Sequence, residues 1–237
     1  VARKPGIVAG LNVAAAVLES EGITDYEILV LEGSHINAGQ VLLRAKGNTR
    51  KLLLTERTAL NLLGRLSGVA TLTNRWVSEV KGTKTKIRDT RKTTPLLREF
   101  EKFAVRMGGG ENHRMSLSDA ALIKDNHVLA AGGVAKAFDS VRKNYPNIPL
   151  EVEVDSLDQL KEVVEAGAEL VLLDNMSPDE CRAAVEIVSG RCRLEASGGL
   201  SIENANAYAK TGVDYLAVGA LTHSAPVLDI GLDLRME

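Results

Sequence analysis

Short apolar segments alternate with helix-like segments from residue 84 onward, and this alternation limits the possible folds more than any other feature of the chain. Six segments rich in Val, Ile and Leu predict strands: Lys84–Asp89, Ala121–Lys124, Leu150–Asp155, Leu170–Asp174, Arg193–Ser197 and Tyr215–Val218. Capped segments between them predict helices: Pro95–Met107, Val134–Lys143, Leu157–Ala166, Pro178–Val188 and Ile202–Lys210. Strands and helices that alternate over short connections indicate a parallel sheet with right-handed crossovers, and they favour a closed α/β barrel.

Polar residues and a glycine stand where the predicted strands end. They are Asp89, Lys124, Asp155, Asp174, Ser197 and Gly219. Barrel enzymes place their chemistry at the C-terminal ends of the strands, so the agreement of six strand ends predicts an active site at that edge of the sheet.

The first third of the chain does not follow the alternation. Residues 1–54 carry short apolar runs separated by glycines, which predict a small α+β open-sheet domain. In residues 55–83 apolar side chains recur every three positions and predict a helical connection to an α/β barrel domain at 84–221. Residues 222–237 are expected to form a C-terminal tail that packs back on the N-terminal domain.

Two glycines interrupt the predicted helical connection. Gly64 and Gly68 weaken this helix but permit another backbone to approach closely, so we expect a tight contact there with a helix or with a second subunit. Leu72–Val80 is predicted to continue as a second helical stretch.

The composition excludes several classes of function. A net charge of -2 and a pI near 6.2 argue against a general nucleic-acid binder, because such domains are usually basic. No apolar run approaches the ~20 residues that cross a bilayer, so a membrane partner is not expected. Cys181 and Cys192 are too few for a disulfide framework, which indicates reduced thiols and a cytoplasmic protein.

Cationic side chains cluster around the first predicted barrel helix. They are Arg91 and Lys92 before it, His113 and Arg114 after it, and Lys124 at the end of the next strand. Groups that flank one short helix converge on one place, so they predict a local site for a strongly anionic ligand. Of the four histidines, His113 is the strongest candidate on the residues alone.

Acidic residues recur with period two in the strand Leu150–Asp155. Glu151, Glu153 and Asp155 therefore share one face of the strand, and Asp174 ends the next strand. A carboxylate pair such as Glu153 and Asp174 suits Mg²⁺, a cation that prefers oxygen ligands and is often shared with phosphate. The alternative is that these acids form ion pairs with Arg88 or Lys124 inside the barrel.

Glycines follow the last two predicted strands. Ser197, Gly198 and Gly199 lie after one strand, and Gly219 opens a segment that ends at His223 and Ser224. Glycines allow backbone N–H groups to approach a phosphate, and barrels often bind phosphate at their last two loops. Each loop alone could also be a plain turn.

Seven motifs resemble those of one enzyme family, the quinolinate phosphoribosyltransferases. They are Glu56–Asn61, Lys86–Thr93, Gly109–Arg114, Leu122–His127, Glu151–Asp155, Leu173–Asn175 and Glu195–Gly199. The resemblance runs from Arg3 to the C-terminus. It implies an incomplete, TIM-like parallel α/β barrel with a smaller N-terminal α+β open-sheet domain, a homodimer or larger homo-oligomer, and a further N-terminal segment ahead of Val1.

The resemblance also implies a reaction and its site. Quinolinate and phosphoribosyl pyrophosphate would give nicotinate mononucleotide, pyrophosphate and carbon dioxide for NAD synthesis, with Mg²⁺ as cofactor. The quinolinate carboxylates would meet Arg57 from a neighbouring subunit together with Arg91, His113, Arg114 and Lys124. The phosphoribosyl donor would meet Lys92, Glu153, Asp174, Ser197, Gly198, Gly219 and His223. The catalytic residues would be Lys92, Lys124, Glu153 and Asp174, the last two facing the metal directly or through water.

Three alternatives remain open on the sequence. A nicotinate phosphoribosyltransferase or a molybdenum-transport-associated relative would have a similar barrel, but a monocarboxylate would not need both Arg91 and the His113 and Arg114 pair. A lyase could use Lys124 as a Schiff-base lysine. The first domain also resembles lipoyl-type carriers, although Ser34–Asn37 offers no lysine at the expected hairpin tip.

Overall fold

The computed structural model describes residues 1–235, in the following elements. The strands are β1 Gly6–Ile7, β2 Asp25–Ile28, β3 His35–Ile36, β4 Leu43–Lys46, β5 Lys86–Arg88, β6 Ala121–Ile123, β7 Leu150–Val154, β8 Leu170–Asp174, β9 Arg193–Ser197 and β10 Tyr215–Ala217. The helices are α1 Leu11–Ser20, α2 Thr49–Glu79, α3 Arg98–Met107, α4 Asp125–Ala131, α5 Val134–Asn144, α6 Leu157–Glu165, α7 Pro178–Val188, α8 Ile202–Ala209 and α9 Ala220–His223.

The chain divides into two compact units. Unit 1 contains Val1–Arg75, Lys92–Glu111 and the chain from Gly219 onward, and unit 2 contains Trp76–Arg91 and Asn112–Val218. Among the helices of the described residues, none combines the length and the apolar character that crossing a membrane requires.

Unit 2 is built on a six-stranded parallel sheet. Its strand order is β5-β10-β9-β8-β7-β6, and helices α4 to α8 lie in the connections. All six predicted barrel strands are present. The prediction of a closed barrel is wrong, because β5 and β6 are the two edges of an open sheet, whereas the incomplete barrel implied by the resemblance is confirmed.

Helix boundaries in unit 2 follow local capping. Ser156, Ser177 and Ser201 each accept the backbone N–H of the residue three positions later, so they start α6, α7 and α8 where the sequence predicted. Helix α4 was not predicted. It begins at Asp125 directly after the polar strand end, in a motif that we interpreted only for its chemistry.

Unit 1 contains two separate two-stranded antiparallel sheets, β1 with β3 and β2 with β4. Short apolar runs of residues 1–54 form β1, β2 and β4, and helix α1 lies between β1 and β2 in the chain. The core of unit 1 is apolar and includes residues from both ends of the chain: Ala2, Val8, Leu11, Ala14, Ile36, Leu42, Ala59, Leu63, Leu228 and Ile230. An antiparallel bridge between Ala2 and Ile230 ties these ends together.

Helix α2 is a single helix of 31 residues. The prediction of two helical stretches beginning at Thr55 is therefore wrong. The helix starts six residues earlier because Asn48 Oδ1 accepts the backbone N–H of Arg50 at 3.0 Å and caps its first turn. Asn48 is a favourable cap residue, but it lies within the range 1–54 that was predicted as the N-terminal domain.

The glycines of α2 do permit a close backbone approach, and the partner is the chain's own C-terminal region. A Cβ added at Gly68 would overlap the carbonyl oxygen of Pro226, and one added at Gly64 would lie 2.9 Å from Leu228 O. Leu228 N–H also donates to Gly64 O at 3.0 Å. This contact compensates for the weak helix propensity of the two glycines.

We expect Gly68→Ala to lower the free energy of unfolding by about 3 kcal/mol, although alanine is the better helix former, because the new methyl group has no space. Gly64→Ala, with a milder overlap, should cost about 1 kcal/mol. Urea unfolding of both variants measures the difference. Equal stability of the two variants and the parent protein would show that segment 226–228 does not pack on α2.

Candidate active site

The register of the parallel sheet places the polar residues of unit 2 on one face. Leu172 is paired with Glu153 on one side and with Glu195 on the other, so these side chains point to the same face. By the same rule Asp174 and Ser197 lie together two residues further along. The sequence prediction that alternate residues of one strand share a face therefore extends across the sheet.

Lys124 and Glu153 form an ion pair at this face. Lys124 Nζ lies 2.5 Å from Glu153 Oε2, and the carboxylate is mostly buried whereas the lysine is half-exposed. The ion pair is the alternative that we left open for these acids. It leaves the second oxygen of Glu153 for another partner, so the pair also orients a carboxylate at the strand end.

Asp174, Asn175 and Gly198 are held in one small cluster. Asn175 has a positive φ of 54° and donates its Nδ2 to Asp174 Oδ2 at 2.8 Å, while its backbone N–H donates to Ser197 O at 2.8 Å. A Cβ at Gly198 would overlap Asn175 Oδ1. The glycine is thus required by a side chain that packs against its backbone, and this packing sets the position of Asp174.

His113 is held at three points. Its backbone N–H donates to Asp89 Oδ1 at 2.8 Å, its Nε2 lies 2.7 Å from Glu151 Oε2, and its Nδ1 accepts the backbone N–H of Arg114 at 2.7 Å. Because Nδ1 accepts this bond, the ring carries its proton on Nε2 and donates it to Glu151. The imidazole therefore connects buried acids to the backbone of Arg114.

Arg91 and Arg114 bring two positive charges close together. Burial lowers the pKa of the Arg114 guanidinium from its ordinary value, and the charge of Arg91 lowers it further. Arg114 Nη1 donates to Ala120 O at 2.7 Å, and this hydrogen bond fixes the orientation of the guanidinium. Two like charges placed close together favour an anion beside them, which agrees with the sequence prediction without testing it.

A buried layer of charge that includes Glu195 was not predicted. Arg88 Nη1 lies 2.9 Å from Glu195 Oε2, and Glu195 is completely buried. Burial raises the pKa of Glu195 to about 7, and the charge of Glu151 adds to the rise. The sequence contained this information, because Glu195 lies two residues before Ser197 in the same strand and their side chains must share one face of the sheet.

Three of the predicted site residues belong to unit 1 and lie together there. A Cβ at Gly219 would be 3.2 Å from both His223 Nε2 and Lys92 Cδ, so the two side chains flank this glycine. Thr222 Oγ1 donates to Lys92 O at 2.8 Å and fixes the backbone at the same point. The structure therefore places Lys92, Gly219 and His223 side by side, and their role at the phosphoribosyl donor stays a prediction.

A buried ion pair anchors this group in unit 1. Arg65 Nη2 lies 2.8 Å from Glu101 Oε1 and also donates to Thr222 O. The other oxygen of Glu101 accepts the backbone N–H of Thr94 at 2.9 Å. Glu101 thus fixes the segment that follows Lys92, and it was not among the predicted site residues.

Arg57 does not join either group within this chain. It lies on α2 with its side chain 75% exposed, and its nearest acid is Glu56 at 3.7 Å. Cys181 and Cys192 are buried, and burial raises the pKa of their thiols to about 12 and about 11. Neither cysteine is a nucleophile at neutral pH.

The charged groups of unit 2 suit a particular chemistry. Paired guanidiniums bind carboxylates, strand-end carboxylates face a developing cation or a metal, and the loop that begins at Gly198 opens α8. The sheet holds these groups on short, well-packed strands. Such an arrangement can orient two anionic substrates for a transfer reaction.

Comparison with known proteins assigns both parts of the chain. Residues 1–67 match the family described as quinolinate phosphoribosyl transferase, N-terminal domain, and residues 69–233 match the C-terminal domain of the same family. The nicotinate-nucleotide pyrophosphorylase [carboxylating] of Mycobacterium leprae (strain TN) is 54% identical over 240 residues, which are 99% of this chain and 84% of that protein.

Two further relatives agree. The probable nicotinate-nucleotide pyrophosphorylase [carboxylating] of Bacillus subtilis (strain 168) is 40% identical and covers 100% of this chain and 82% of its own length. The structure of nicotinate-nucleotide pyrophosphorylase from Ehrlichia chaffeensis superimposes with a TM-score of 0.94 at 40% identity, over 98% of this chain and 85% of that one. The chain therefore belongs to the quinolinate phosphoribosyl transferase family.

Proposed function

We propose that this protein transfers the phosphoribosyl group of phosphoribosyl pyrophosphate to the ring nitrogen of quinolinate and releases pyrophosphate and carbon dioxide, with nicotinate mononucleotide as the product. The observation that carries this proposal is the pair of neighbouring guanidiniums, Arg91 and Arg114, in a family whose relatives are named for this reaction. Two cations that repel each other are stabilised together by a dianion such as a dicarboxylate.

The proposed roles of the residues follow from their charges. Arg91, Arg114 and Lys124 orient the two carboxylates so that the pyridine nitrogen faces the anomeric carbon of the ribose. Glu153 and Asp174 stabilise positive charge on the ribose as its bond to pyrophosphate breaks. Lys92 and His223 bind the phosphoribosyl donor. Once the ring nitrogen is cationic, the bond between the ring carbon and the adjacent carboxylate breaks and carbon dioxide leaves. The electron pair of that bond stays on the ring carbon, which then takes up a proton.

The residues fit a magnesium ion. Glu153 and Asp174 each have one carboxylate oxygen bonded within the protein, to Lys124 and Asn175, and each keeps an oxygen for another ligand. Oxygen donors from two neighbouring strand ends are the ligands that Mg²⁺ prefers, directly or through water. The ion would neutralise charge on the departing pyrophosphate.

The proposal includes a homo-oligomer in which Arg57 binds quinolinate in a neighbouring subunit. Its support is the exposed position of the Arg57 side chain on α2, which leaves the guanidinium accessible to another subunit. A cytoplasmic location is also proposed, and two buried free thiols support it.

The alternative functions have less support. A nicotinate site would use one carboxylate and would not need both of the neighbouring guanidiniums, Arg91 and Arg114. A Schiff-base lyase would need Lys124 presented to a carbonyl, but its Nζ is bound to Glu153.

The decisive experiment is to incubate the protein with quinolinate, phosphoribosyl pyrophosphate and Mg²⁺ and to follow nicotinate mononucleotide and labelled carbon dioxide. We expect equal amounts of the two products and no nucleotide product from nicotinate. Lys124→Ala should lower kcat/KM for quinolinate by at least about 100-fold, because it removes a cation from the substrate carboxylates and frees Glu153. Turnover of nicotinate but not of quinolinate would overturn the proposal.

Arg57 allows a test of the shared site. Arg57→Ala and Lys124→Ala should each be nearly inactive alone, whereas an equal mixture after subunit exchange should regain about a quarter of the parent activity, because half of the dimers are mixed and each has one intact site. Subunit exchange is verified by mass spectrometry of differently tagged chains. Exchange without any recovery of activity would place Arg57 in its own subunit's site or outside every site.

Substitutions at Gly198 and Gly199 can be compared to test whether Asn175 positions Asp174. Both have a positive φ, 85° and 60°, but only Gly198 has a neighbour within 4 Å of an added Cβ. Gly198→Ala should lower kcat/KM about tenfold or more relative to Gly199→Ala, since it displaces Asn175 and with it Asp174. Steady-state kinetics on both variants, with thermal unfolding as a check of the fold, measures the contrast. Equal kinetics would mean that Asn175 does not position Asp174.

A further inference from the structure

A buried group of four side chains lies next to Arg114, and three of them, Arg88, Glu151 and Glu195, have no assigned role in the proposed reaction. It consists of Arg88 on β5, Glu151 on β7, Glu195 on β9 and His113 in the segment before β6. We call it the charged layer. Arg88 also stacks on the ring of Tyr215 on β10, with Cζ 3.6 Å from the ring centroid. The neighbouring strand β8 contributes only the uncharged Leu172 opposite Glu195.

The carboxyl groups of the charged layer are not fully bonded. Glu151 Oε1 and Glu195 Oε1 are buried and make no hydrogen bond with the described residues. His113 Nε2 lies 2.7 Å from Glu151 Oε2 and 3.5 Å from Glu195 Oε1, so one ring edge faces both acids. A buried carboxylate oxygen without a donor is costly, and it indicates that a positive species is shared there.

With the His113 ring neutral, as the hydrogen bond that its Nδ1 accepts requires, charge balance favours a proton. The two carboxylates and the single charge of Arg88 then leave one negative charge, which one proton cancels. The same three residues, His113, Glu151 and Glu195, could hold a divalent metal, since their ligand atoms lie within 4.8 Å of one another. A divalent ion would instead leave an excess positive charge close to Arg91 and Arg114, which already repel each other.

We propose that Glu195 is a positioning residue of the quinolinate site: in its protonated form it completes a neutral layer with Arg88 and Glu151, and this layer seats His113, whose Nδ1 holds the backbone of Arg114. This inference rests on the proposed function. Loss of the proton leaves a net negative charge in the layer that His113 connects to Arg114, and this charge weakens the attraction of the site for a dianion. Bound quinolinate therefore favours the protonated form of Glu195, and the linkage is reciprocal.

The burial of Glu195 sets the pH range of the effect. Its raised pKa, about 7, lies in the neutral range, so the acid is protonated below pH 7 and loses its proton above it. Quinolinate should bind about tenfold more weakly well above neutrality than below it. Phosphoribosyl pyrophosphate, which is bound by other residues, should not follow this pH dependence.

Calorimetric titration of the parent protein with quinolinate, in buffers of different ionisation enthalpy, tests the inference without catalytic turnover. We expect net proton uptake on binding near pH 7 and a dissociation constant that rises about tenfold toward alkaline pH. Glu195→Gln, which is permanently neutral, should abolish the proton uptake and flatten the pH dependence while it still binds at low pH. Glu101→Gln, which removes the charge of another buried glutamate paired with arginine, should keep the parent's pH dependence.

The outcomes separate this inference from the proposed function. If quinolinate does not bind to the parent protein, the proposed function fails. Nitrogen NMR of labelled histidine then still tests the charged layer, with the His113 signal assigned by comparison with His113→Gln. A neutral His113 ring that carries its proton on Nε2, and whose signal changes in Glu195→Gln, supports the layer. An unchanged signal overturns it. If Glu195→Gln weakens both substrates equally at every pH, the residue is only structural and the inference is wrong. Stoichiometric bound metal that is lost in Glu195→Gln would also overturn it.

Discussion

The pairing of opposite charges on one face of the parallel sheet is the interaction on which the site depends. Parallel strands in register bring Glu153 and Glu195 to the same face, and Glu151 follows from the alternation along β7. Carboxylates that share a buried face repel one another and lose their hydration, so each needs a cation or a proton. Lys124 pairs with Glu153 and Arg88 with Glu195, and His113 donates a hydrogen bond to Glu151. The proposed proton on Glu195 supplies the remaining positive charge.

Buried ion pairs of this kind add little to stability, because desolvation cancels most of the attraction. An apolar layer of similar volume would stabilise the sheet at least as well. The buried charge therefore needs an explanation other than stability, and the proposed binding of a dianion by Arg91 and Arg114 supplies one. Among the described residues of unit 1, Arg65 and Glu101 form a comparable buried pair. Glu101 accepts the backbone N–H of Thr94, and Arg65 donates to Thr222 O, beside the predicted site residues Lys92 and His223.

The family, the fold class and the incomplete barrel could all be predicted, and the comparisons confirm them. Periodicity located the six barrel strands to within about two residues, because each is a short apolar run bounded by polar residues. The start of α2 and the helix α4 were missed. Asn48 is as typical of a turn as of a helix cap, and the polar motif after Lys124 was interpreted for its chemistry although it also begins a helix. The roles of Arg57, Lys92 and the other substrate residues remain predictions.

The sequence by itself determined which side chains stand at the strand ends and which of them share a face, because a strand alternates its side chains with a fixed period of two. It also determined that the anion site is local, since the chain as a whole has a net charge of only -2. Only the tertiary structure decided which charges meet. Arg88 pairs with Glu195 at a separation of 107 residues, and His113 with Glu151 at 38. Such partners depend on strand order and register, which long-range packing sets and which no local pattern encodes.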